Sequence, residues 1–210
     1  MVRKSKGSGD SKARAKSHAK NPASLRALGK SPPTTLESIS IFDAVLADGP
    51  ALQIAVLGGS VVEYELEQLL RGYVSRRDDA TWKELTDDRA PLGTFSAKII
   101  MAYALGLIDN DTRQNLDVVR HIRNAFAHSK RLIDFSHIAI ANAIHAVKLS
   151  TFGNPARDEA LKIAADPTNS AQTRFQCLAA SLAVELSHLL IRLKSRPVAQ
   201  KTPESEPSGK

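Results

Sequence analysis

Apolar residues in this chain recur every three or four positions, the interval that lines one face of an α-helix, and no segment alternates convincingly with period two. After Pro32-Pro33, Thr34 stands three residues before Glu37 as a capping box, opening a short helix with Leu36, Ile39, Phe42 and Leu46 inward. Asp48-Gly49-Pro50 stops it. A longer helix is expected from about Pro50 to Val74, with Leu52, Val56, Val62, Leu66, Leu69 and Tyr73 at near-helical spacing. Gly58 and Gly59 each cost that helix about 1 kcal/mol relative to alanine, so they point to close approach of a neighbouring backbone or to a kink.

Residues 76–92 are charged, with Trp82 and Leu85 as anchors of a short helix. Thr94 then caps a helix through Ala104 or Leu105, and Gly106 suits the left-handed position that follows a helix end. Asp109, Asn110 and Asp111 put acids at the positive end of the next helix dipole, and that helix should stop near His128 or Ser129. Asp134 begins another helix expected to reach Ser150. Thr151-Phe152-Gly153-Asn154-Pro155 breaks the pattern, and helices over 156–165 and 170–194 complete it. No Rossmann or phosphate-loop glycine pattern is present. The expected fold is all-α, a single bundle of about six to seven helices over residues 34–194, with disordered ends at 1–33 and 195–210.

Composition agrees with that picture. The chain has 210 residues, 42% hydrophobic and only 5% aromatic, with alanine and leucine supplying most of the apolar mass. This is enough for one core and favours packed helices. The single Cys177 cannot form an internal disulfide, which points to a reducing, cytoplasmic location.

The net charge of +7 changes meaning once it is located. Residues 1–33 carry +8, residues from Ser195 onward carry +1, and the part between carries −2. Arg3, Lys4, Lys6, Lys12, Arg14, Lys16 and Lys20 form a basic arm that can strengthen binding to RNA, DNA or an acidic partner in a salt-dependent way. A solubilising tail explains the same composition. No signal-peptide hydrophobic region is seen, and the most apolar run, Ala51 to Val62, is broken by Gln53 and the glycine pair and is too short to span a bilayer. No membrane association is expected.

The chemistry concentrates in Arg120-His121-Ile122-Arg123-Asn124-Ala125-Phe126-Ala127-His128-Ser129. Val118, Val119, Ile122, Ala125 and Phe126 fall on one arc of its helix, and Asp117, Arg120, His121, Asn124 and His128 on the other. Arg123 lies on the border, where its stem can pack on the core while its guanidinium reaches outward. Arg123 could hold a phosphate with two hydrogen bonds, and His128 could move a proton near neutral pH. Yet five positions separate them by roughly 140° around the axis, so a site using both needs a second copy of the helix.

Arg123-Asn124 followed by three residues and His128 resembles the Arg-x4-6-His motif of the higher-eukaryote and prokaryote nucleotide-binding (HEPN) superfamily. In its active ribonucleases this resemblance implies a helical dimer. Arg and His meet in its cleft and promote metal-independent attack of a ribose 2′-hydroxyl on the adjacent phosphate, with Arg123, Asn124 and His128 as the corresponding site here. A longer match covers Pro91 to Ile108, Leu116 to Arg120 and Ile122 to Ser129, with Leu66-Glu67-Gln68-Leu69-Leu70 before it and Arg174-Phe175 after it. Over roughly residues 36 to 194 the chain resembles the mannitol operon repressor family. That resemblance implies an all-helical cytoplasmic regulator; the long basic arm departs from it.

Direct DNA reading is disfavoured. A helix-turn-helix built on Ala102-x3-Gly106 would place Asp109 and Asp111 against the phosphate backbone, where cations or neutral residues belong. His137 and His145 are eight apart, too far to share a metal, and Glu63, Glu65 and Glu67 are expected to form a solvated helix face. No cofactor or metal is expected. The leading expectation is a noncatalytic regulator acting through a protein partner or its own oligomer, with Arg120, Arg123, Asn124 and His128 at the contact surface. The competing one is the endoribonuclease, with the arm recruiting RNA.

Overall fold

The computed structural model describes residues 35–74, 78–87 and 89–195. The basic arm, the Thr34–Glu37 capping box, the inward placement of Leu36, Ile39 and Phe42, and residues 196–210 lie outside the described residues. Those described contain eight helices and no strand, one helix more than the upper expectation. They are α1 (Thr35–Leu46), α2 (Ala51–Tyr73), α3 (Asp79–Thr86), α4 (Phe95–Ala104), α5 (Asn110–His128), α6 (Ile138–His145), α7 (Pro155–Ala165) and α8 (Ala171–Lys194).

Local chemistry sets most boundaries. Thr94 accepts from Ala97 N at 3.1 Å and Asp109 from Thr112 N at 2.8 Å, so both stand as N-caps. Gly106 adopts φ +66 just after α4, the left-handed conformation that glycine enters without a Cβ penalty. Asn154 caps α7 with Pro155 in its first turn.

The two longest helices, α2 and α8, pack along each other, with α5 and α4 against α2 and α6 and α7 against α8. Glycines set the closeness: a Cβ on Gly58 would lie 3.0 Å from the Phe175 ring and 3.5 Å from Ala179. The buried stripe of α2 is therefore Ile54, Ala55, Gly58, Gly59, Val62, Leu66, Leu69, Leu70 and Gly72. Leu52 and Tyr73, expected inward, are exposed because they lie roughly 100–120° around the helix from Gly58 and Gly72, where α8 approaches. Leu46 is exposed as well; Val45 takes the buried position, and Gln176 closes the end of α1 by donating to Val45 O at 2.8 Å and Ala47 O at 3.1 Å. Phe135 packs between Phe126 and Phe175 with its ring tilted to both, at centroid distances of 5.0 and 5.3 Å. By length and composition α8 could cross a bilayer, but Phe175, Leu178, Leu182 and Leu186 are buried in this bundle.

The helix expected over Asp134–Ser150 shrinks to Ile138–His145. His137 caps it, while Asp134 accepts from Ser136 N in a local turn. Beyond His145, side chains take the backbone groups a helix would use. Asn115 donates to Lys148 O at 2.9 Å and accepts from Lys148 N at 2.8 Å, and Asp158 accepts from Phe152 N and Gly153 N. Arg157, 1% exposed, holds this segment from beneath: it pairs with Glu185 and donates to Ser150 O at 2.6 Å, while Thr112 Oγ1 donates to Glu185 at 2.6 Å.

Candidate interaction surface on α5

Helix α5 buries Thr112, Asn115, Leu116, Val118, Val119, Ile122 and Phe126. Ala125, assigned to that arc from its position, is exposed, since it lies about 100° from the centre of the buried stripe. On the opposite side Arg120 pairs with Asp117 at 2.9 Å and donates to His121 Nε2 at 2.7 Å, which accepts only when that nitrogen is unprotonated. His121 and His128 are exposed, and Arg120 and Asn124 half-buried. Asn124 Oδ1 accepts from Arg123 at 3.2 Å rather than bonding to His128. Among the described residues no hydrogen bond joins Arg123 to His128, as their angular separation implies.

Arg123 belongs to a different assembly. Its stem lies over Gly59 of α2, and its guanidinium pairs with Glu63 at 3.5 Å. The other Glu63 oxygen accepts from Lys98 of α4 at 2.9 Å, Lys98 also pairs with Glu67 at 2.6 Å, and Glu67 accepts from the Trp82 indole at 3.2 Å. A chain of ion pairs thus runs from α5 through α2 to α4, and the Trp82 hydrogen bond ties it to α3. Arg123 Nε is buried with no hydrogen-bond partner among the described residues.

The glutamates are not the solvated face expected of them. Glu63 and Glu67, four positions apart, converge on a 6%-exposed Lys98, while Glu65 turns to α8 and accepts from Ser187 at 2.8 Å. Burial alone would lower the Lys98 pKa, but the two carboxylates outweigh it and hold the ammonium above the ordinary lysine range. Burial raises the Glu65 carboxyl, partly opposed by the Ser187 hydroxyl.

Lys98 was missed, although the sequence carried a signal. Phe95, Lys98, Ile99 and Ala102 share the buried face of α4, so a lysine stands where an apolar residue is expected. A charge there needs a partner, and Glu63 and Glu67 are spaced to supply one.

No family model matches this chain, and no curated protein matches it either. Among solved structures it is similar to the MtlR–HPr complex from Escherichia coli, with 18% identity and a TM-score of 0.47 over 74% of this chain and 97% of that one. It is also similar to YggD, a possible transcriptional regulator from Shigella flexneri 2a strain 2457T, with 17% identity and a TM-score of 0.49 over 77% and 99%.

Proposed function

We propose that this chain is a noncatalytic, cytoplasmic regulatory protein of the mannitol operon repressor type, acting through a protein partner or a copy of itself. Arg120, Asn124 and His128 form its contact surface, with Arg123 at the edge. The observation that carries the reading is the Arg123–Glu63 pair. The arginine needed to hold a phosphate already faces a carboxylate, and an incoming phosphate would meet Glu63 as a like charge. The long sequence match over residues 91–129 supports the regulatory class.

Incubating the purified full chain with total RNA in EDTA separates this reading from the ribonuclease. The expected result is no cleavage; 2′,3′-cyclic phosphate ends that disappear in His128→Ala would overturn it. HPr from the same cell is the first binding probe for the surface. An Arg120→Ala, His128→Ala variant should then bind it at least about tenfold more weakly, a change of about 1.4 kcal/mol.

A further inference from the structure

Between Val118 and Ile133 the sequence places Arg120, Arg123, Lys130 and Arg131, with His121 and His128, and no acid, whereas the rest of residues 34–194 carries a net −6. Arg120 is already paired with Asp117 and Arg123 with Glu63, and Asp134 follows Ile133, so the positive charge this end of α5 offers a partner is that of Lys130 and Arg131 in the loop.

That loop also presents apolar surface. Leu132 is 106% exposed, and Ile138, at the start of α6, is 69% exposed. Leu132 is held out by a loop anchored on both sides. Before it, Ser129 Oγ donates to Arg131 O at 2.8 Å and accepts from Arg131 N at 3.1 Å. After it, Ile133 packs against the core and Phe135 is buried between Phe126 and Phe175. A side chain presented this way has little backbone freedom left to lose on binding.

We propose that Lys130, Arg131, Leu132 and Ile138, continuous in sequence with the end of α5, form a docking surface for an acidic protein segment carrying an apolar side chain that seats on Leu132. This rests on the reading of the chain as a protein-binding regulator and assigns the partner's chemistry. Charge complementarity selects an acidic occupant, and the exposed leucine selects protein over nucleic acid. A phosphate backbone gains nothing from Leu132, and the exposed tyrosines among the described residues, Tyr73 and Tyr103, stand on α2 and α4 rather than here.

The test uses the full chain and three labelled probes: a polyglutamate peptide with spaced leucines, the same peptide with serine replacing leucine, and oligouridylate of equal charge. The leucine peptide should bind at least about tenfold more tightly than the serine peptide, the gain from burying one apolar side chain. Leu132→Ser should abolish that difference, and Lys130→Ser with Arg131→Ser should weaken both peptides. Residues 128–138 should gain hydrogen-exchange protection on binding. The Leu132→Ser variant keeps the basic arm unchanged, so a leucine preference that this substitution removes cannot come from the arm. An unchanged preference in Leu132→Ser would overturn the inference. So would oligouridylate binding that depends on Leu132, or self-association that Leu132→Ser abolishes. If HPr binds while the leucine peptide is ignored, this inference fails and the regulatory reading stands; EDTA-resistant RNA cleavage removes that reading instead.

Discussion

Gly59 on α2 and Arg123 on α5 occupy one shared contact: a Cβ added to Gly59 would sit 2.6 Å from Arg123 Cβ and 2.5 Å from its Cγ. Those atoms belong to the base of the arginine stem and cannot swing aside as its tip could. In an open helix Gly→Ala gains about 1 kcal/mol, but here overpacking should reverse the sign and destabilise by about 1–3 kcal/mol. Urea denaturation of Gly59→Ala measures this, with Gly49→Ala as a control because nothing lies within 4 Å of a Cβ there. A stabilised Gly59→Ala would contradict the packing.

Lys98 bridges Glu63 and Glu67. Lys98→Met should cost about 3–5 kcal/mol at neutral pH by leaving both carboxylates half-buried without it, and adding Glu63→Gln and Glu67→Gln should recover much of the loss. Because the folded-state pKa of Lys98 is raised, its contribution is fully present below the unfolded value of about 10.4 and is lost as pH rises through the folded one. Wild type should thus lose more stability above about pH 10 than Lys98→Met does; equal alkaline losses would refute the assignment.

Glu65 behaves in the opposite sense from an ordinary paired carboxylate. Burial raises its pKa, so what it contributes is present below the unfolded value of about 4.3 and lost as pH rises through the folded value. Glu65→Gln should therefore become more stable relative to wild type on going from about pH 4 to pH 7. Ser187→Ala, which removes the opposing hydrogen bond, should enlarge the pH-dependent penalty in the protein that keeps Glu65. Thermal unfolding at a series of pH values would reveal both trends.

One guanidinium closes two helices. Arg174, 4% exposed, donates to Ala164 O at 2.8 Å and Ala165 O at 3.5 Å at the end of α7, and to Ile144 O at 3.2 Å at the end of α6. Arg174→Met should destabilise by about 3 kcal/mol through the carbonyls left unpaired. Hydrogen exchange should accelerate in the last turns of α6 and α7 while the middle of α2 stays protected. Uniform acceleration throughout the bundle would argue against this local role.

Helix type and several helix ends were legible because their causes are local. Thr94, Asp109 and Gly106 act within one turn of their own positions, through a cap or a permitted φ. The Asp134–Ser150 helix was overextended because Asn115 and Asp158, distant or downstream in the chain, capture backbone groups of residues 148–153. In the candidate site, the separation of Arg123 from His128 followed from helical geometry alone. The engagement of Arg123 by Glu63 did not.

By itself the sequence determined an all-helical chain, the Thr94 cap, the glycine stop at Gly106 and the polar side of α5, since periodicity and side-chain chemistry act at short range. Only the tertiary structure decided which face of α2 is buried and what Arg123 does. Gly59 admits the Arg123 stem from one helix, and Lys98 is brought from another to share Glu63, so the arginine becomes part of a charge network rather than an open site. Sixty residues separate Glu63 from Arg123, and no local rule joins them; the close approach of α2 and α5 does.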